Sequence, residues 1–206
     1  MAADLEKLAK EFNGRFGNED ISKGLFGLAK IARQRGLERL LKVSPFPEGA
    51  IRLPEIETAG MSNGDMEKLA DSTEGLRLGI WGRYILQRGS TAPQEPLNPV
   101  VMDARTMGIR SDYPTTKQVW GKAEEFGDKV SAEAMLKIAI EAVKGNIHVE
   151  TGKPLVGVME PVTDSSGGPD VLYVVRYEDG LWLGALYADL DDRWDLGVGF
   201  VVSPRK

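Results

Sequence analysis

Short apolar runs alternate with polar turns toward the C-terminal end of this chain. The runs fall at 155–159, 171–177, 181–188 and 196–202. A polar stretch from Glu160 and Pro161 through Asp164, Gly167, Gly168 and Asp170 separates the first two. Glu178-Asp179-Gly180 separates the next pair, and the acidic segment 189–195 the last. Apolar runs joined in sequence by short polar connections predict an antiparallel meander. Alternation within 171–175 is poor, so both faces of that sheet are expected to be partly covered.

The first half of the chain follows a helical period instead. Leu5, Leu8, Ala9 and Phe12 form a short amphipathic stripe over 4–13. After Gly14 and Gly17, Asn18 is placed to cap a second helix, with Glu19 and Asp20 at the positive end of its dipole. Ile21, Leu25, Leu28 and Ala32 make its buried stripe, and Gly36 ends it. Pro45, Pro47 and Pro54 make 44–60 an extended connection. Ser62 followed by Asp65 signals the start of a long helix over 63–88, with Met66, Leu69, Leu76, Ile80 and Tyr84 on one face. Gly75, Gly79 and Gly82 fall on another stripe of it. Each glycine costs a helix interior about 1 kcal/mol relative to alanine, so three in line point to close backbone approach by a neighbouring element.

Residues 89–112, with Pro93, Pro96 and Pro99, read as a linker. Thr115 with Gln118 makes a capping box for a helix through Val119, Trp120, Ala123 and Phe126. Ser131 caps the next helix, which runs to about Lys144. Glu133, Lys137, Glu141 and Lys144 line its one narrow polar face, and Met135, Leu136, Ile138, Ile140 and Val143 take most of the rest. That helix is expected to be the best buried and to pack on the meander. The predicted fold is α+β. A helical region (1–88) and a Pro-rich linker (89–112) precede a module (113–206) of two helices and an antiparallel sheet of about four strands.

Composition narrows the chemistry more than the architecture. The 206 residues suffice for one large domain or two small ones, and 42% hydrophobic with 28% charged residues is ordinary for a globular protein. The net charge of -5 argues against bulk nucleic-acid binding. No cysteine is present, which excludes disulfides, thiolate nucleophiles and cysteine metal sites. The single histidine, His148, argues against zinc, which without cysteine draws on two or more histidines. No serine sits in a nucleophile elbow. The first residues carry charges where a signal peptide needs an apolar core, and no run approaches membrane-spanning length. The expected setting is the cytoplasm, without a membrane or a cofactor.

Several stretches invite a function. Lys30, Arg33, Arg35, Arg39 and Lys42 against Glu38 form a basic segment of the kind that neutralises phosphates, or simply a solvated helix face. A helix-turn-helix over 115–144 fails, because Asp128 and Glu133 would occupy buried positions. The acidic turn 189–195 lacks a calcium-loop pattern, since Arg193 and Trp194 stand at the fifth and sixth positions; a magnesium site on two carboxylates stays open. The proline triplet lacks the basic residue that ligands of SH3-type domains carry. Tyr173, Tyr177, Trp182, Tyr187, Trp194 and Phe200 all lie in the meander or its turns. Tryptophans there are core residues or, where exposed, interface anchors. From Glu160 onward the acids outnumber the bases by five, so the rest of the chain is close to neutral.

The segment from Val171-Leu172-Tyr173-Val174-Val175-Arg176-Tyr177 through Trp182, Asp189 and Trp194 to Phe200-Val201-Val202-Ser203-Pro204-Arg205-Lys206 resembles the ends of small uncharacterised bacteriophage and prophage accessory proteins. The resemblance brings no known activity and no catalytic residue. It implies an origin on a mobile element, where small non-enzymatic binders and inhibitors are common. The expected function is therefore non-catalytic protein binding, accessory or inhibitory, acting on a host factor by steric occlusion. Trp182, Trp194, Asp191 and Asp192 are its expected contact residues. Two alternatives stand beside it: nucleic-acid binding through residues 30–42, and a metal-dependent hydrolase using Asp189, Asp191 and Asp192.

Overall fold

The computed structural model describes residues 46–91 and 96–205. The chain divides into two units, Met1–Pro45 and Phe46–Lys206, and the description concerns the second. The two predicted N-terminal helices lie outside the described residues.

Nine strands form one mixed sheet: β1 (Ile51–Arg52), β2 (Leu76–Leu78), β3 (Val100–Met102), β4 (Gly127–Asp128), β5 (Leu155–Gly157), β6 (Val162–Thr163), β7 (Pro169–Tyr177), β8 (Gly180–Tyr187) and β9 (Gly199–Pro204). Their order is β1-β3-β9-β5-β7-β8-β2, with β4 pairing to β9 and β6 to β7. β2 runs parallel to β8 and β5 parallel to β9, while the other pairs are antiparallel. Four helices accompany them among the described residues: α1 (Asn63–Ser72), α2 (Ile80–Leu86), α3 (Thr116–Ala123) and α4 (Ala132–Val143).

This architecture corrects the expected helical N-terminal region followed by a four-strand antiparallel meander. Each of the four predicted apolar runs does contain a strand, β5, β7, β8 and β9. However, β9 returns past β7 and β8 to lie parallel beside β5, so the set is not a meander. The segment before residue 88 contributes β1 and β2 to the sheet. The segment 89–112 contributes β3, all three of whose residues are buried. Strands of two or three residues are too short to show a period-two pattern, and parallel pairing joins segments far apart in sequence.

The predicted long helix over 63–88 is three elements. Ser62 caps α1 as expected, its hydroxyl accepting from the Asp65 N–H at 3.2 Å. The helix stops at Ser72, where Thr73 is extended, and Gly75 then turns the chain at φ +84°, a left-handed conformation. The next residues pair with β8 as β2, and the Gly79 N–H extends the contact to the Leu183 carbonyl at 3.0 Å. α2 starts there and crosses directly over β8. A Cβ on Gly82 would stand 2.6 Å from the Leu183 oxygen and 3.1 Å from Gly184 Cα. The expected close approach is thus met at Gly82, against a strand. Arg83 ties α2 back to α1, reaching Asp71 at 2.6 Å and Glu67 at 2.6 Å.

α4 is the most buried helix, with nine of its twelve residues buried. It lies on the sheet face of Gly157 and Leu183, where Met135 Cγ would meet a Cβ on Gly157 at 2.9 Å and the Ala142 carbonyl accepts from the Arg176 guanidinium at 3.2 Å. The polar stripe predicted for α4 is broken at its first member. Glu133 is wholly buried, and its carboxylate accepts the Ala59 and Met61 N–H groups at 2.6 and 3.0 Å. The opposite sheet face is covered around Phe200 by Trp120 of α3 and by Trp194, with ring centroids 6.2 and 5.6 Å from Phe200. The capping box at the start of α3 is complete: Thr115 accepts from the Gln118 N–H, and Gln118 accepts from the Thr115 N–H.

Two pairs of substitutions test these contacts by thermal or denaturant unfolding. Gly82→Ala is expected to destabilise by about 1–3 kcal/mol through overpacking, despite a gain in helix propensity of about 1 kcal/mol. Gly64→Ala in α1, where a Cβ meets nothing within 4 Å, is expected to be neutral or stabilising. Glu133→Ala is expected to cost about 3 kcal/mol, because two amide donors lose their acceptor. Glu141→Ala, on the exposed side of the same helix, is expected to cost about 1 kcal/mol or less.

Candidate functional site

The β7–β8 hairpin carries two of the exposed aromatic side chains, Tyr177 and Tyr187, one at each end. Across this pair, Tyr177, Val175, Tyr173 and Val171 stand opposite Gly180, Trp182, Gly184 and Leu186, and therefore share one face. Gly184 leaves room for the Tyr173 ring to lie against it, where a Cβ would stand 2.7 Å from the ring. On the other side of the same glycine lies α2. Arg77 of β2 pairs with Trp182 in the parallel ladder.

That register builds a held aromatic near the hairpin turn. The Trp182 indole N–H donates to the Asp179 carboxylate at 3.0 Å, and the Arg77 guanidinium lies 5.5 Å from the indole centroid. Arg77 also meets Asp179 at 3.2 Å, closing a three-residue cycle. Trp182 is half-buried, and Tyr177 beside it on the same face is 48% exposed. An aromatic held this way loses little rotamer freedom on binding. Tyr177 stood among the aromatics of the C-terminal runs without being an expected contact residue, whereas Arg77 escapes a sequence search: it joins the site only through the parallel β2–β8 pairing.

The other expected contact residues lie elsewhere. Trp194 is 6% exposed; it stacks on Trp120 at 6.0 Å and its N–H donates to Thr116 Oγ1 at 2.9 Å. It belongs to the core. Asp191 is exposed and Asp192 half-buried, in a loop fastened to the start of α3. There the Thr116 and Lys117 N–H groups donate to the Asp192 and Leu190 carbonyls at 2.9 and 3.0 Å, and the Trp194 N–H to Pro114 at 2.9 Å. The hairpin therefore does not bring Trp182 together with Trp194, Asp191 or Asp192. Asp189 accepts from the Asp191 N–H at 3.1 Å, an Asx turn. Among the described residues no group of three or more His, Cys, Asp or Glu side chains is arranged to hold a metal ion. His148 is exposed. Pro99 runs beside Leu53, accepting its N–H at 2.9 Å. Lys30, Arg33, Arg35, Arg39 and Lys42 lie outside the described residues. No helix among the described residues is long and apolar enough to cross a membrane.

A second cluster occupies the open end of the hairpin and was not visible as a unit in sequence. Asp170 pairs with Tyr187 across the ladder. The Tyr187 ring packs on Gly168, where a Cβ would stand 2.6 Å from it. Asp164 organises the Gly167-Gly168 turn, accepting the Ser166 and Gly168 N–H groups at 2.7 and 2.8 Å. The Ser166 hydroxyl, donating to the same carboxylate at 2.7 Å, and then those backbone bonds hold the Asp164 carboxyl below its usual range. Burial, and then the charge of Asp164, push the Asp170 carboxyl up. Loss of hydration, followed by the fields of Asp189, Asp192, Asp164 and Asp170, pushes the Tyr187 phenol up.

The Asp170 shift has a definite sign. A carboxyl raised above its unfolded value destabilises the fold when charged, and that penalty vanishes once both states are protonated. Asp170→Asn is thus expected to melt higher than the parent at pH 7. The advantage should shrink as pH falls through the folded pKa of Asp170 toward the unfolded carboxylate range; an unchanged advantage at low pH would assign it to packing. In comparisons with known proteins, no family model, no curated protein and no solved structure matches this chain.

Proposed function

We propose that this chain is a non-catalytic, protein-binding accessory protein that acts by occluding a partner's surface. The observation that supports it is the Arg77–Trp182–Asp179 cycle beside exposed Tyr177. Tryptophan, tyrosine and arginine are the residue types that concentrate binding energy in interfaces. Held on the paired strands β7, β8 and β2, they present a preformed surface that needs no rearrangement to dock. Asp179 and Arg77 supply opposite charges at its rim, which favours orientation over raw affinity. The finer terms follow the resemblance of the C-terminal segment: a protein of a mobile element, inhibitory, acting on a host factor in the cytoplasm.

A tagged full-length chain is expected to retain a stoichiometric protein from host lysate after nuclease treatment. Trp182→Ala and Tyr177→Ala, each with an unchanged melting profile, are expected to weaken that capture at least about ten-fold, as interface anchors do. Equal capture by parent and both variants would move the interface off the hairpin. Capture that disappears with nuclease would replace protein binding by nucleic-acid binding.

A further inference from the structure

Asp170 is the least explained side chain of the hairpin's open end. It is 6% exposed, yet no hydrogen bond or ion pair from a described residue reaches its carboxylate. No side-chain oxygen in the described residues is both sealed from solvent and unpartnered, so the Asp170 carboxylate is open at its tip. Its ladder partner is Tyr187, 53% exposed, and the Asp164 turn borders both. A nearly buried carboxylate without a partner is costly, and packing alone would accept a neutral side chain of the same size. The cost is offset when a cation docks.

We propose that Asp170, Asp164, Asp189 and Asp192 around the Tyr187 ring form a recognition surface for an arginine-bearing basic segment of a partner protein. A guanidinium meets carboxylates through two parallel hydrogen bonds and stacks its plane on a phenol ring. The surface offers both: an open carboxylate on Asp170 and the exposed face of Tyr187. Single metal ions need several carboxylates converging on one point, and no such group of three is present among the described residues. The negative charge is instead spread along the chain from the β6–β7 turn to the loop after β8, as suits an extended cationic partner. The site lies five residues along the ladder from Trp182, roughly 17 Å away at a strand rise of about 3.3 Å per residue, and does not rest on the hairpin-turn surface.

Fluorescence anisotropy on the full chain tests this with a labelled peptide of alternating glycine and arginine and a counterpart carrying neutral citrulline. The arginine peptide is expected to bind about ten-fold or more tightly than the citrulline peptide at low salt. Asp170→Asn and Tyr187→Ala are each expected to weaken it about ten-fold. Asp170→Asn should do so while melting no lower than the parent, which separates lost binding from lost fold. Glu150→Gln removes the same charge from an exposed pair with Lys153 and is expected to leave binding unchanged. Equal binding of the two peptides overturns the proposal, as does an equal loss in Glu150→Gln and Asp170→Asn.

Discussion

The contact of α2 with the backbone of β8 is the constraint on which the exposed chemistry depends. Helices usually stand off a sheet by the length of their side chains. Here Gly82 places the helix against the Leu183 carbonyl and Gly184 Cα. Gly184 is itself bare, so the strand is thin at that point, with α2 on one face and the Tyr173 ring on the other. The same approach sets β2 in parallel register with β8, because Gly79 joins β2 to α2 and bonds to Leu183. Arg77 therefore stands over Trp182. A single added methyl at Gly82 would push on helix, edge strand and aromatic at once.

Anchoring by Glu133 is the counterpart on the other side of α4. Its carboxylate gathers two amides flanking Gly60, which has φ +65°, and so fixes the segment that leads into the Ser62 cap of α1. A buried acid in a helix's first turn is favoured by the dipole and by those hydrogen bonds. It links the best-buried helix to a segment more than seventy residues earlier in the chain. With α4 held on the sheet and α1 tied to α2 through Arg83, the hairpin β7–β8 is braced along its length. Its two ends are then free to differ: an aromatic flanked by opposite charges near the turn, acidic side chains at the open end.

Local signals were legible in the sequence because their physics is local. Ser62, Thr115 and Ser131 cap helices through hydrogen bonds to groups three residues on, and each cap is present. Strands β5, β7, β8 and β9 were visible as apolar runs bounded by turn residues, whereas β6 fell in a stretch read as polar connection. The glycine stripe announced close approach, although only its last member makes a tight one and Gly75 serves a turn instead. Misreadings arose where a partner distant in sequence decided the outcome. Leu76 to Leu78 fits a helical face in isolation and becomes a strand because β8 offers an edge. Glu133 fits a polar stripe and is buried because residues 59 and 61 bring donors to it. Trp194 sits in an acidic turn and enters the core because Thr116 and Trp120 receive it.

By itself, the sequence determined the starts of α1, α3 and α4, the four C-terminal runs that hold β5, β7, β8 and β9, that one helix would be buried nearly all round, and that no cysteine is available. Those properties depend on spacing, capping and composition, all written within a few residues. Tertiary structure alone decided the sheet order and which aromatics face outward. It also brought together Arg77 with Trp182, and Asp164 and Asp170 with Tyr187. Each of these is a register between segments separated along the chain, set by burying two surfaces against each other, and neither surface carries the address of the other.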